Sequence, residues 1–241
     1  MKRKVIVVGH GMVAHRFIEK LSSATDVEIT VFGEEKYPAY DRVHLSSFFD
    51  TNSHEGLLLA DPAAYAEKGI QLKTGVRVDS IDPAARTIVD SNGTSYSYDI
   101  LVLATGSTPF VPPLPGRQKT GVFVYRTIDD VMAMRDFSKK ATSAAVIGGG
   151  LLGLEAAKAS LDMGLKTHVI EFAPRLMPRQ IDEDGSSFLC DKIKSLGIEL
   201  HLGAEVGEIH GDDSVCGVGL KSGEQLSVEM VIISAGIRPR H

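Results

Sequence analysis

Residues 4–21 read KVIVVGHGMVAHRFIEKL, and residues 143–161 read SAAVIGGGLLGLEAAKASL. Each stretch has a short run of apolar residues, a glycine cluster, and then apolar residues at helical spacing. A second strand follows each: Glu28-Ile29-Thr30-Val31-Phe32 in the first copy, Lys166-Thr167-His168-Val169-Ile170-Glu171 in the second. Farther on, each copy has an apolar strand running into a small-residue turn, Ile100 to Gly106 and Met230 to Gly236. Strand, glycine turn, helix and strand make a βαβ unit, because two parallel strands need a crossover. Two copies predict an α/β protein with two Rossmann-like dinucleotide-binding domains.

The spacing inside the turns specifies what they bind. In Gly9-x-Gly11-x-x-Ala14, the first glycine permits the tight turn, and the second lets a pyrophosphate approach the backbone. The third small residue allows close packing of helix on strand. The helix start then offers free N–H groups and a partial positive charge to the phosphates. Gly148-x-Gly150-x-x-Gly153 repeats the pattern. A lone match of this kind is weak evidence; two, each after a strand and before a helix, are strong. An acid ~20 residues on is expected to hold ribose hydroxyls. In the second copy this is Glu171, which would repel a 2′-phosphate and so favours NADH over NADPH, although Arg175 follows four positions later. In the first copy, aligning the second strands puts Gly33 in that slot. Glu34, one step on, is the candidate, with an ordinary surface glutamate as the alternative. Glu155 is read two ways, as a carboxylate stabilising the first turn of its helix, or as a group at the nicotinamide–flavin junction.

The remaining features bound the problem. Hydrophobic residues make up 43% and charged residues 24%, as in ordinary globular proteins. The formal charge of −5 gives no reason to expect nucleic acid as a partner. The run Val5 to Val8 after Lys2-Arg3-Lys4 is too short for a signal peptide, and no stretch approaches the ~20 apolar residues of a membrane span. Cys190 and Cys216 form neither a redox pair nor a zinc spacing, the eight histidines are scattered singly, and no metal is expected. Two reduced thiols suit a cytoplasmic protein. Residues 108–116, with four prolines, read as the interdomain linker between domains at 1–108 and 109–241. A small β excursion over 76–99 has a hairpin signal at Ser91-Asn92-Gly93-Thr94. Short and long helices are expected from Asp61-Pro62 and over Asp182 to Leu196, and strands near 198–202, 205–210, 214–220 and 225–233.

With both turns in place the chain resembles the flavoproteins that have two dinucleotide-binding domains, the superfamily of glutathione, ferredoxin and rubredoxin reductases. The matching pieces are Gly9-His10-Gly11-Met12-Val13-Ala14, Tyr98 to Gly106, Gly148 to Glu155, and Gly236-Ile237-Arg238-Pro239. Tyr40 to Ser47, Val124 to Asp130 and His168 to Pro174 are similar to the N-terminal part of the large subunit of assimilatory NAD(P)H-dependent nitrite reductases. The resemblance implies FAD on the first unit, touched by Gly9, Gly11, Met12, Val13, Ala14, Arg42, Ala104, Thr105 and Gly106, and by the backbone of Val78. It implies NADH on the second, at Gly148, Gly150, Leu151, Leu152, Gly153, Glu171 and Gly236. It also implies electron transfer through FAD to iron–sulfur and sirohaem centres outside this chain, or to a small redox subunit, in nitrate assimilation. The same fold would serve a rubredoxin reductase or a nitrate reductase electron-transfer subunit, and a nucleotide-binding module without turnover is the alternative of another class. Two departures stand out. Many relatives carry a lysine where Ser47 stands, paired with the glutamate matching Glu155. They also return to the FAD domain after the Gly-x-x-Pro turn, so the first domain is expected to be incomplete here, its return segment absent.

Overall fold

The computed structural model describes residues 2–24 and 26–240. Contacts divide the chain into two compact units. The first comprises residues 1–44, 54–107 and 239–241, the second residues 45–53 and 108–238.

The first unit opens with β1 (Arg3–Val8), α1 (Met12–Leu21) and β2 (Val27–Gly33). The second unit claims the short helix α2 (Ser47–Thr51). The first continues through α3 (Pro62–Glu67), β3 (Gln71–Thr74), β4 (Val78–Asp82), β5 (Thr87–Asp90), β6 (Ser95–Ser97) and β7 (Ile100–Leu103). Its main sheet has the order β3-β2-β1-β7, all parallel. Val5 and Val7 face a core built with Ala14 and Ile18 of α1 and Tyr65 of α3. Ile6 and Val8 face the other way, onto Phe32 and Ile88, where the antiparallel sheet β4-β5-β6 covers them. A strand buried on both faces has no polar side to show, so Val5 to Val8 of β1 form an unbroken apolar run. Along the outer strand β7, Ile100 and Leu103 are exposed.

The strand β8 (Ser107–Pro109) leads into the second unit, where β9 (Val122–Val124), α4 (Ile128–Ser138), β10 (Ser143–Ile147), α5 (Leu151–Asp162) and β11 (Lys166–Glu171) follow. Then come α6 (Glu183–Ser195), β12 (Glu199–Leu202), β13 (Val206–His210), β14 (Gly217–Leu220), β15 (Gln225–Leu226), β16 (Met230–Ile233) and β17 (Ile237–Pro239). The parallel sheet has the order β12-β11-β10-β16-β9, and β13-β14-β15 form a separate antiparallel sheet. Ala145, Ile147 and Ile170 on one face pack against Val206, Ile209 and Val218 of that second sheet. In the first sheet β1 lies between β2 and β7, and in the second β10 lies between β11 and β16, which is where doubly wound sheets bind ligands.

Several expectations need redrawing. Residues 45–53 fall in the second unit, where Phe48 is buried and the Arg135 guanidinium lies over its ring at 5.1 Å. The proline-rich stretch is no free linker, because Val111 and Leu114 pack on the core of the second unit. The expected strand over 225–233 is two strands in two different sheets, β15 and β16, with Val228 buried between them. The helix α4 went unforeseen, although its capping box is legible in Thr127 and Asp130, whose side chains each accept from the other's backbone N–H. The helices α3 and α6 begin where expected, with Asp61 and Asp182 as side-chain caps.

Candidate functional site

The two glycine turns fold the same way, residue for residue. Val8 pairs with Phe32 as Ile147 pairs with Ile170, so Gly33 occupies the position of Glu171. Gly9 and Gly148 have φ of +105° and +119°, a region that disfavours any side chain. A Cβ on Gly9 would strike the Ala104 carbonyl, and one on Gly148 the Ser234 carbonyl. The turn after β1 thus lies against the turn after β7, and the turn after β10 against that after β16. Gly106 and Gly236 also have positive φ, and Thr105 donates its hydroxyl to the Arg240 carbonyl at 2.7 Å.

Gly11 and Gly150 are glycine for a different reason. Their φ values, −95° and −82°, suit any residue, and a Cβ on either would meet nothing within 4 Å. Each caps a helix that has no side-chain cap and no acid in its first turn. Free backbone N–H groups and the positive end of the helix therefore face open space. Nothing in the chain demands glycine there, and a pyrophosphate does. The residues of each turn fit the phosphate bridge of a dinucleotide. Val13 and Leu151 are 77% and 57% exposed, while Ala14 and Gly153 are buried. A Cβ on Gly153 would collide with the Gly148 carbonyl. In the second unit a cleft of ≈ 560 Å³ includes Gly148, Gly150, Leu152, Glu171 and Gly236 in its lining, a volume typical of small-molecule sites.

The two units differ in where they keep the acid. Glu171 accepts the Gly149 N–H at 2.5 Å and the Ala173 N–H at 2.7 Å, which fixes its carboxylate and leaves lone pairs for ribose hydroxyls. A Cβ on Gly149 would lie 2.6 Å from the Leu176 Cδ2 and 3.0 Å from the Glu171 Cβ, so a side chain there would crowd both. The first unit makes the opposite choice. His10 stands where Gly149 does, and a Cβ on Gly33 would lie 3.1 Å from the His10 Cβ. The next acid along, Glu34, forms an ion pair with Arg240. Nearby, Glu35 pairs with Arg42 and accepts the Tyr40 hydroxyl at 2.6 Å. The Arg42 backbone N–H meets the Met12 sulfur at 3.3 Å, which brings Arg42 beside the first turn. Val78 opens β4 at an irregularity in its pairing with β5.

His10 is buried, and among the described residues its Nδ1 has no hydrogen-bond partner. Burial, and then the charge of His15, lower its pKa to about 4. The folded state therefore refuses a proton that the unfolded chain accepts below about pH 6.5. The contribution of His10 is intact above that pH and is lost progressively as pH falls toward 4. At ~1.4 kcal/mol per pKa unit, the loss is about 3 kcal/mol. Urea denaturation across this window should show His10→Asn losing less stability than the unmodified protein; identical slopes would contradict the assignment.

Around Glu155 the first of the two readings fails. α5 starts at Leu151, so Glu155 lies beyond the first turn and the free N–H groups. It sits close enough to Tyr125 for its charge, after burial, to push the Tyr125 hydroxyl pKa upward. Arg175, the expected threat to NADH selectivity, is tied to the Ile181 and Pro178 carbonyls at 2.9 and 3.2 Å. The basic residue that lines the cleft with Glu171 is Arg179, which spacing alone did not single out.

Comparison with known proteins agrees with this architecture. The model of the pyridine nucleotide-disulphide oxidoreductase family matches residues 3–241. The nitrite reductase [NAD(P)H] large subunit of Klebsiella oxytoca is 45% identical over 99% of this chain and 25% of its own length. The nitrite reductase (NADH) large subunit of Escherichia coli K12 is 43% identical over 99% and 29%. The chain thus spans between a quarter and a third of these curated relatives. Among solved structures, a ferredoxin reductase from Rhodopseudomonas palustris superposes with a TM-score of 0.94 at 29% identity, covering 99% of this chain and 60% of that one. No helix among the described residues is long and apolar enough to cross a membrane. With its two glycine turns, its two parallel sheets and a match over nearly its whole length, the chain belongs to the pyridine nucleotide-disulphide oxidoreductase family.

Proposed function

We propose that this chain takes electrons from NADH, passes them to FAD, and serves as the entry point of a nitrite-reducing enzyme. The observation that carries the reading is the pair of open glycine positions, Gly11 and Gly150, each at a helix start beside the turn of the neighbouring strand. Two such cradles in one chain suit two dinucleotides, as a single-domain dehydrogenase would not require.

The residues divide the work. Gly9, Gly11, Met12, Val13 and Ala14 would hold the FAD pyrophosphate, with Glu34 toward its ribose and Arg42, Val78 and the Ala104-Thr105-Gly106 turn beside it. Gly148, Gly150, Leu151, Leu152 and Gly153 would hold the pyrophosphate of NADH, with Glu171 on its adenosine ribose and Gly236 lining the same cleft. Glu155, with Tyr125 as its neighbour, is the candidate to face the nicotinamide. FAD, when bound, supplies a ring that accepts hydride from the nicotinamide. The chain itself supplies orientation and exclusion of water, and needs no nucleophile for this. The onward route to nitrite is assigned from the nitrite reductase relatives at 43–45% identity, and its iron–sulfur and sirohaem centres from the resemblance of the sequence. It is tested in a protein of the relatives' full length that carries this chain. NADH-dependent consumption of nitrite, with ammonia formed, is the expected result; NADH oxidation that leaves nitrite untouched would overturn it.

A further inference from the structure

β11 and β12 are neighbouring parallel strands, with His168 opposite Glu199 and Ile170 opposite His201. Residues 168, 170, 199 and 201 therefore share one face of the sheet, the face on which Ile170 packs against β13–β15. Three potential ligands converge there. His168 Nδ1 is 3.2 Å from His201 Nε2 and 3.3 Å from Glu199 Oε2. One donor atom from each of the three lies within 4.8 Å of the others. The His168 side chain is only 6% exposed, and that of His201 is 16% exposed. Lys166 Nζ lies 3.0 Å from the other Glu199 oxygen, Oε1, and so stands on the far side of that carboxylate. The second nitrogen of His201, Nδ1, is 3.6 Å from Glu224 Oε1 in the turn between β14 and β15.

We propose that His168, His201 and Glu199 bind one divalent first-row transition ion of the zinc class, with Glu224 orienting His201. Zinc binds imidazole nitrogen and carboxylate oxygen at ~2.0–2.2 Å, and a tetrahedron of that size separates adjacent donors by ~3.3–3.5 Å. The two short donor separations, 3.2 and 3.3 Å, come close to such edges. Two imidazoles and one carboxylate suit zinc, cobalt or nickel, whereas calcium and magnesium take oxygen. Metal-bound histidines commonly give their second N–H to a carboxylate, the position that Glu224 holds toward His201. The three ligands leave a fourth position for water. Without an ion, two facing ring nitrogens at this distance share a single proton. The ion would clip β12, the outermost strand of its sheet, to β11, which ends in Glu171.

The test is a calorimetric titration of the full chain with zinc, joined to the visible spectrum of the cobalt-loaded protein. One equivalent should bind, the cobalt form should show the intense absorption of tetrahedral nitrogen and oxygen ligation, and zinc should raise Tm. His201→Gln and Glu199→Gln alter partly accessible groups, and their melting without metal reports whether they fold. Each should weaken zinc binding about 100-fold or more, and Glu224→Gln by about 10–100-fold. Absence of stoichiometric binding would overturn the proposal. So would equal affinity in His201→Gln, which would place the ion on other groups such as the exposed thiol of Cys216.

Discussion

Replacing Gly11 with valine is expected to weaken FAD binding by orders of magnitude while leaving the protein folded. The two halves of that result have separate causes. Gly11 has an extended conformation that a β-branched residue readily adopts, and a side chain there meets no atom of the chain within 4 Å. The apoprotein should melt as the unmodified one does. The new methyl groups would fill the space the pyrophosphate needs and keep it from the backbone N–H groups. A hydrogen bond to a charged group contributes ~1.5–3 kcal/mol, so losing two weakens FAD by roughly two to four orders of magnitude. NADH binding, which uses Gly150 in the second unit, should be unchanged. The contrast is Gly9, where φ is +105° and the Ala104 backbone blocks a side chain, so Gly9→Val should damage folding itself. Equilibrium titration of both nucleotides into Gly11→Val, beside its melting curve, checks the result. Retained FAD with lost NADH would show that the two units had been assigned in reverse.

The second large effect is expected at Glu171. Its carboxylate is held by the N–H groups of Gly149 and Ala173. Glutamine would keep one acceptor oxygen and turn an amide toward the other donor, losing both the charge and part of the anchoring. The charge-assisted bonds to the adenosine ribose should weaken, and the repulsion of a 2′-phosphate should vanish. One bond of ~1.5–3 kcal/mol corresponds to a fall of about 10- to 100-fold in the ratio of kcat/KM for NADH over NADPH. Arg179 lines the same cleft, and its guanidinium is available to a 2′-phosphate once the carboxylate is gone. Glu171→Gln with an unchanged ratio would remove Glu171 from the ribose site.

The parts of the fold legible in the sequence were those set by local chemistry. Glycines at fixed spacing after an apolar run, and the internal repeat, define both cradles without any knowledge of the packing. Even the glycine at the Glu171 position could be read, because aligning the second strands puts Gly33 in that slot. Its surroundings could not, since the His10 side chain that a Cβ on Gly33 would crowd at 3.1 Å comes from the turn after the neighbouring strand. The same limit hid the packing of Phe48 with Arg135, whose residues are far apart in the chain. It also hid the cluster at His168, because two histidines 33 residues apart become neighbours only when β11 and β12 pair. The helix α4 is a different case. Its capping box, from Thr127 to Asp130, is written in the sequence, but its apolar periodicity is weak, since Asp129, Asp130, Arg135 and Asp136 interrupt the helix.

The central claim is that the two cradles of this chain serve one reaction, with NADH as donor and FAD as acceptor. Anaerobic titration of the FAD-loaded protein with NADH, followed in the visible absorbance of the flavin, tests it most directly. The account predicts that one equivalent of NADH bleaches the oxidised flavin band, and that NADPH does so far less efficiently. A protein that binds both nucleotides yet keeps its oxidised flavin spectrum under excess NADH would contradict it.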